Sequence, residues 1–415
     1  MRPLTALIVL LLFTACGRTG PAAPRPAIRE PPLSAAALSA RARLLRAQAA
    51  AIAAAQRQRR IEAAANWYLA RMSLDEQLGQ MLINEADGVV YSPDMAIMIE
   101  RQRIGAVMLF PDNFGAFDQT REMLRQMQAH AHIPLLIATD QEGGTITRTS
   151  QYFGDFPAPR ELASSGDPQV AYTAGQRTAR DLQQLGINTD LAPVVDVPVD
   201  GGGGVWGPGR TFADVPQTVA RFASAYMHGL QDAGAVSALK HFPGLGSVTV
   251  DPHGTLPVVS RTLDQFRQSE LSPYQALIPQ FPDMIMATDL LVPAVDPHYP
   301  AELSPTWITG ILRRQLGYDG VVITDSMWMK GISQRWSLPQ AALLAVLAGD
   351  DLIMAAYSST ASQAVLDTLR AAIASGRISP ARIADSARRI LMVKITHDLL
   401  PLPQEVVDHE QLVSA

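Results

Sequence analysis

From Met72 onward, short runs rich in Val, Ile, Leu and Met alternate with longer segments whose apolar residues recur at helical spacing. The short runs cover 80–84, 105–110, 134–140, 189–196, 236–242, 284–289, 320–325 and 351–355. Candidate helices fill the gaps over 117–130, 170–185, 217–233, 263–278, 305–316 and 339–348, and 362–375 and 380–396 complete the pattern. A buried strand followed by a crossover helix leads to a parallel neighbour. Eight such units in a segment of this length predict an α/β fold of the (β/α)8 barrel type, one catalytic domain over 66–400, in preference to an open doubly wound sheet.

Ahead of the barrel the pattern changes. An apolar run from Leu4 to Phe13 follows Met1-Arg2-Pro3. It is short for a hydrocarbon layer of about 30 Å, and its charged start, apolar middle and small-residue end have the layout of an export signal. The range 17–32, rich in Pro, Ala and Arg, reads as a tether. Strong helix formers with few apolar residues larger than Ala make 33–68 a solvated helical spacer. A second reading lays its Arg41, Arg43, Arg46, Arg57, Arg59 and Arg60 against anionic lipid. The expected organisation is 1–16 signal, 17–65 tether and spacer, 66–400 barrel and 401–415 tail.

Composition narrows the partners. With 47% hydrophobic and 18% charged residues in 415, the chain can bury a large core. The 34 basic and 39 acidic side chains leave a net charge of -5, which gives no attraction for nucleic acid, and no nucleic-acid module is visible. The single cysteine, Cys16, excludes a disulfide within one copy and stands directly after Thr14-Ala15 at the end of the apolar run. That site resembles a bacterial lipoprotein cleavage site, so lipidation at Cys16 and a place in the cell envelope are expected. The alternatives are an ordinary signal peptide with an incidental cysteine, or an uncleaved anchor.

The chemistry gathers at strand ends. Five of the apolar runs end in or run into polar groups: Asp140, Asp196, Lys240-His241, Asp289 and Asp325. Scattered burial of so many ionisable groups is costly, whereas the carboxyl rim of a barrel is where this fold builds a site. Asp196, ahead of Val-Pro, fits either a helix cap or the site. Lys240 to His253 joins a cation, a glycine-rich turn and an Asp-x-His pair behind one strand. Gly201 to Gly204 lacks the Lys-Ser/Thr of a phosphate cradle, the eight histidines are scattered, and there is no Gly-x-Ser-x-Gly elbow. Neither metal nor cofactor is expected.

The segments Lys240-His-Phe-Pro-Gly244 and Gly317-Tyr-Asp-Gly-Val-Val-Ile-Thr-Asp-Ser-Met-Trp-Met329 resemble the bacterial β-N-acetylglucosaminidases of glycoside hydrolase family 3. The resemblance extends over Met72 to Thr396. It implies a retaining glycosidase in which Asp325 is the nucleophile and His253, oriented by Asp251, the acid/base. Asp140-Gln-Glu-Gly-Gly144 resembles the family's sugar-binding signature. With it the resemblance implies substrate contacts from Asp140, Arg148, Arg210, Lys240 and His241.

Four positions depart from the family pattern. Pro252 is central in the Asp-x-His loop, Leu245 replaces the His of Gly-His-Gly, Thr145 the Arg after Glu-Gly-Gly, and Asp289 the His of an Ala-His pair. The expected function is removal of terminal β-linked N-acetylglucosamine from muropeptides or chitin-type fragments. The rivals are a catalytically weakened sugar-binding lipoprotein and a β-glucosidase-type or phosphorolytic member of the family. A chain ending at Ala415 leaves no room for the second catalytic domain of the β-glucosidase branch, which favours the N-acetylglucosaminidase branch. A monomer is expected.

Overall fold

A computed structural model describes residues 35–199 and 209–408. The signal with Cys16, the tether, the Gly201 to Gly204 run and the end of the tail lie outside the described residues. Contacts divide the chain into two units, Met1–Ala55 and Gln56–Ala415. The first, as far as described, is helical and exposed from Arg43 to Ala55. That helix, Ala35–Leu69, runs beyond the expected spacer boundary into the second unit. There Ile61, Ala64 and Ala65 are buried with Leu391, Ile395 and Leu400, and Arg57 donates to the Thr396 carbonyl at 2.8 Å. No described helix is long and apolar enough to cross a membrane.

The second unit is the expected barrel. Its strands are β1 Leu82–Glu85, β2 Ala106–Leu109, β3 Leu136–Thr139, β4 Thr189–Asp190, β5 Val236–Phe242, β6 Met284–Ala287, β7 Val321–Thr324 and β8 Ile353–Ala356. They pair in the order β7-β6-β5-β4-β3-β2-β1-β8, parallel throughout. A bridge between Ile323 and Leu352 joins β7 to β8 and closes the ring. Covered on both faces, β2, β6, β7 and β8 are almost continuously apolar rather than alternating, as Val321-Val-Ile of β7 shows.

Around the strands, helix Phe117–His130 has the expected bounds, and Pro168–Leu185 and Pro216–Asp232 lie within a residue or two of theirs. The last two approach closely through glycine. A Cβ on Gly175 would stand 2.3 Å from the Tyr226 carbonyl oxygen, and one on Gly229 2.1 Å from that of Tyr172.

Three expectations are corrected. The 189–196 strand shrinks to Thr189–Asp190, because Pro193 has no N–H for the ladder; pairing resumes only at a bridge from Val194 to Lys240. The single 263–278 helix is two, Leu263–Gln268 and Ser272–Leu277, with Pro273 opening the second. Between them Glu270 is fully buried and accepts from Ser269 Oγ. The 305–316 helix winds as a π-helix over Thr306–Gln315.

Candidate active site

At the C-terminal end of β3 the chain turns sharply. Gly143 and Gly144 take φ of 91° and 61°, and a Cβ on Gly143 would lie 2.1 Å from the Pro157 carbonyl oxygen, so the turn requires glycine there. Gln141 Oε1 accepts the backbone N–H groups of Arg148 and Thr149, which sets where Arg148 leaves the turn. Lys240, from β5, reaches across the barrel to bring its ammonium to Asp140 Oδ1 at 2.6 Å and Glu142 Oε1 at 2.8 Å. Arg210 grips the same Glu142 with two bonds of 2.7 Å, one from Nε and one from a terminal nitrogen. Burial alone would push Glu142 upward, but the Lys240 and Arg210 charges and the Arg210 hydrogen bonds hold its carboxyl well below the usual range.

Exposure divides this set. Lys240, His241, Arg210 and Glu142 are sealed beneath the rim, while Asp140 and Arg148 keep part of their surface open. The open pair presents carboxylate oxygens beside a guanidinium 3.8 Å away, acceptor next to donor, as adjacent hydroxyls require. Asp196 is settled by its contacts: it caps no described helix. Its Oδ2 lies 2.7 Å from His241 Nδ1, and its Oδ1 accepts the N–H groups of His241 and Leu245.

Leu245 is fully buried in the apolar core, so a leucine in place of a histidine here offers the loop no donor or acceptor. Its flanking glycines are required by space. A Cβ on Gly246 would overlap the Val197 carbonyl oxygen at 1.6 Å, and Gly244, at φ 130°, lies against Glu270.

Asp325 follows β7 directly. Its Oδ2 accepts from the Thr288 hydroxyl at 2.9 Å and its Oδ1 from the Ser326 N–H at 2.8 Å, so each carboxylate oxygen is oriented by a donor. Its own N–H points to the Ala287 carbonyl at 2.8 Å and to Glu302 Oε2 at 3.0 Å. Asp289 lies below, without exposed surface. Beside the rim, the exposed Tyr357 meets Trp328 edge to face with ring centroids 4.5 Å apart.

His253 and Asp251 do pair. Asp251 Oδ1 stands 2.7 Å from His253 Nδ1 and also accepts the His253 N–H. Their side chains are 66% and 54% exposed, on a turn whose Pro252 is buried. Burial would raise Asp251, yet the hydrogen bonds from His253 and the charges of His253 and Arg210 lower it.

The sequence-predicted residues therefore form two buried-to-exposed groups at one end of the barrel, Asp140, Arg148, Arg210, Lys240 and His241 around Glu142, and Asp325 above Asp289. The Asp251–His253 pair stands on an exposed turn after β5. Glu142, Thr288 and Glu302 were not anticipated. Glu142 had a signal, standing inside the Asp140 to Gly144 signature. Thr288 and Glu302 had none, since their partner is reached only through the fold.

Residues 73–393 match the glycosyl hydrolase family 3 N terminal domain. A beta-hexosaminidase of Idiomarina loihiensis is 33% identical over 294 residues, 70% of this chain and 87% of that protein. An uncharacterized secreted glycosyl hydrolase of Arthroderma benhamiae is 30% identical over 328 residues, 77% and 92% of the two chains. Among solved structures, a family 3 beta-N-acetylglucosaminidase from Paenibacillus superposes with a TM-score of 0.76 at 35% identity. The match covers 79% of this chain and 63% of that one, so this chain spans less than two thirds of that protein. With a carboxylate oriented at the end of β7, a charged cluster across the rim and the family match over 73–393, the chain belongs to glycosyl hydrolase family 3 and is a glycoside hydrolase.

Proposed function

We propose that this glycoside hydrolase is a retaining β-N-acetylhexosaminidase that removes terminal β-linked N-acetylglucosamine from cell-wall muropeptides or chitin-type oligosaccharides. The observation that carries the reading is Asp325, whose two oxygens are held by Thr288 and Ser326 at the carboxyl end of a barrel strand. So held, the carboxylate attacks the anomeric carbon while His253 protonates the departing glycosidic oxygen. The resulting glycosyl ester is then opened by water, whose proton returns to His253. With Nδ1 bonded to Asp251, the ring exchanges its proton through Nε2. Asp140 and Arg148 take the sugar hydroxyls, Lys240, Arg210 and His241 hold that surface in place, and Trp328 and Tyr357 offer an aromatic face to the next sugar unit.

Support for the substrate comes from the relatives, named for hexosaminidase and N-acetylglucosaminidase activity. The test is turnover of chromogenic β-N-acetylglucosaminide against β-glucoside by the purified protein, with and without phosphate. Preference for the first, independent of phosphate, is expected; no turnover of either would leave a sugar-binding protein instead. Lipid attachment at Cys16 belongs to the same proposal, and transfer of Cys16→Ser from the detergent to the aqueous phase is its check.

A further inference from the structure

Beneath Asp325 lie two more carboxyls, Asp289 and Glu302, both without exposed surface. Hydrogen-bond donors are distributed unevenly among the three. Asp325 receives Thr288 and Ser326. Among the described residues, Glu302 receives only the Asp325 N–H, on Oε2 at 3.0 Å, and its Oε1 has no partner. Asp289 Oδ2 is also unpartnered, wedged against Gly331, where a Cβ would stand 2.1 Å from it.

A buried carboxylate with an unpartnered oxygen and like charges around it is among the costliest arrangements a protein can hold, whereas a neutral acid there costs far less. The strongest titratable influences on Glu302 are all acids: Asp289 after β6, Asp325 after β7 and Asp350 ahead of β8. The one negative charge this group of three tolerates therefore resides where the donors and solvent are, on Asp325.

We propose that Glu302 is a positioning residue for the nucleophile: its buried carboxyl works protonated, as a neutral acceptor that pins the Asp325 backbone N–H and adds no charge beside the carboxylate. The proposal rests on the reading of Asp325 as nucleophile. Oε2 is then the carbonyl oxygen and Oε1 bears the proton. Burial first, then the Asp289 and Asp325 charges, push Glu302 well above the usual carboxyl range, in keeping with this assignment.

The test is the pH dependence of kcat and KM on an activated aryl β-N-acetylglucosaminide for Glu302→Leu, Glu302→Gln and Asp325→Ala. Removing the acceptor in Glu302→Leu should lower kcat about tenfold or more with KM little changed. Glu302→Gln, which keeps a neutral carbonyl acceptor, should restore kcat and leave the acid limb of the profile unmoved. A shift of that limb to lower pH in Glu302→Gln would mean that a negative charge had been removed, and would overturn the proposal. Wild-type kcat in Glu302→Leu would overturn it equally. Should Glu302→Leu fail to fold, the Glu302→Gln profile decides alone. Activity surviving in Asp325→Ala would instead overturn the nucleophile reading beneath it.

Discussion

Lys240 Nζ stands 2.8 Å from Glu142 Oε1, and neither side chain keeps more than 3% of its surface open to solvent. Two opposite charges so sealed are each costly alone, so the pair matters most when half of it is removed. Glu142→Ala leaves Lys240 and Arg210 crowded beside Asp140 and should cost about 3–5 kcal/mol, read as a fall in the melting temperature. The acid side of the stability curve should change too. A carboxyl held below its ordinary value of 4.5 gives stabilisation that is complete above that value and is lost as pH falls toward the folded one. Wild-type protein should therefore lose stability below about pH 4.5, and Glu142→Ala should show a shallower acid slope.

Asp325→Ala should abolish hydrolysis, with azide restoring turnover and yielding an α-glycosyl azide. Thr288→Val removes one hydrogen bond to the carboxylate, at 2.9 Å, while keeping the side-chain volume. A bond to a charged group contributes about 1.5–3 kcal/mol, so kcat should fall roughly 10- to 100-fold. Steady-state kinetics on an activated substrate check both.

His253→Ala should slow substrates with poor leaving groups far more than activated aryl glycosides, since a good leaving group departs without a proton. In Asp251→Asn the charge 2.7 Å from His253 Nδ1 disappears. The alkaline limb on unactivated substrates should then move to lower pH while the acid limb stays. A mutant profile overlaying wild type on both sides would remove the pair from the mechanism.

Lys394, in helix Pro380–Thr396, is fully buried and gives its ammonium to Gln80 Oε1 and the Gly105 carbonyl. Burial brings it down from 10.5 to about 7. Between those values the unfolded chain holds a proton that the folded one has released. This group's contribution to stability is therefore complete above about pH 10.5 and is lost as pH falls to about 7. Against Lys394→Met, wild type should gain melting temperature from pH 7 to pH 9; parallel curves would show the ammonium to be retained in the fold.

How much of this was legible in the chain depends on the range of the interaction concerned. Helix Phe117–His130 and strand Val236–Phe242 have the ends that periodicity predicts, because local pattern decides them. The 263–278 range reads as one helix by periodicity alone. What splits it is Pro273 together with the burial of Glu270 against Gly244, a residue from another loop. Motif residues such as Asp140, Lys240 and Asp325 announce themselves by standing after apolar runs. Glu302 follows Pro-Ala in a short 3-10 turn, Ala301–Leu303, and its tie to Asp325, 23 positions on, exists only once β6 and β7 lie side by side. The division of labour between Arg148 and Arg210 is likewise a matter of burial, invisible in two arginines of equal chemistry.

The closure of the ring through β1 and β8, with Arg57 bonded to Thr396 across 339 positions, sets an order of events during synthesis. The strand made first waits, unpaired along one edge, for the strand made last. A nascent chain therefore cannot complete its fold until nearly all of it has left the ribosome. A topology so dominated by distant pairings folds slowly and leaves apolar edges in need of protection meanwhile.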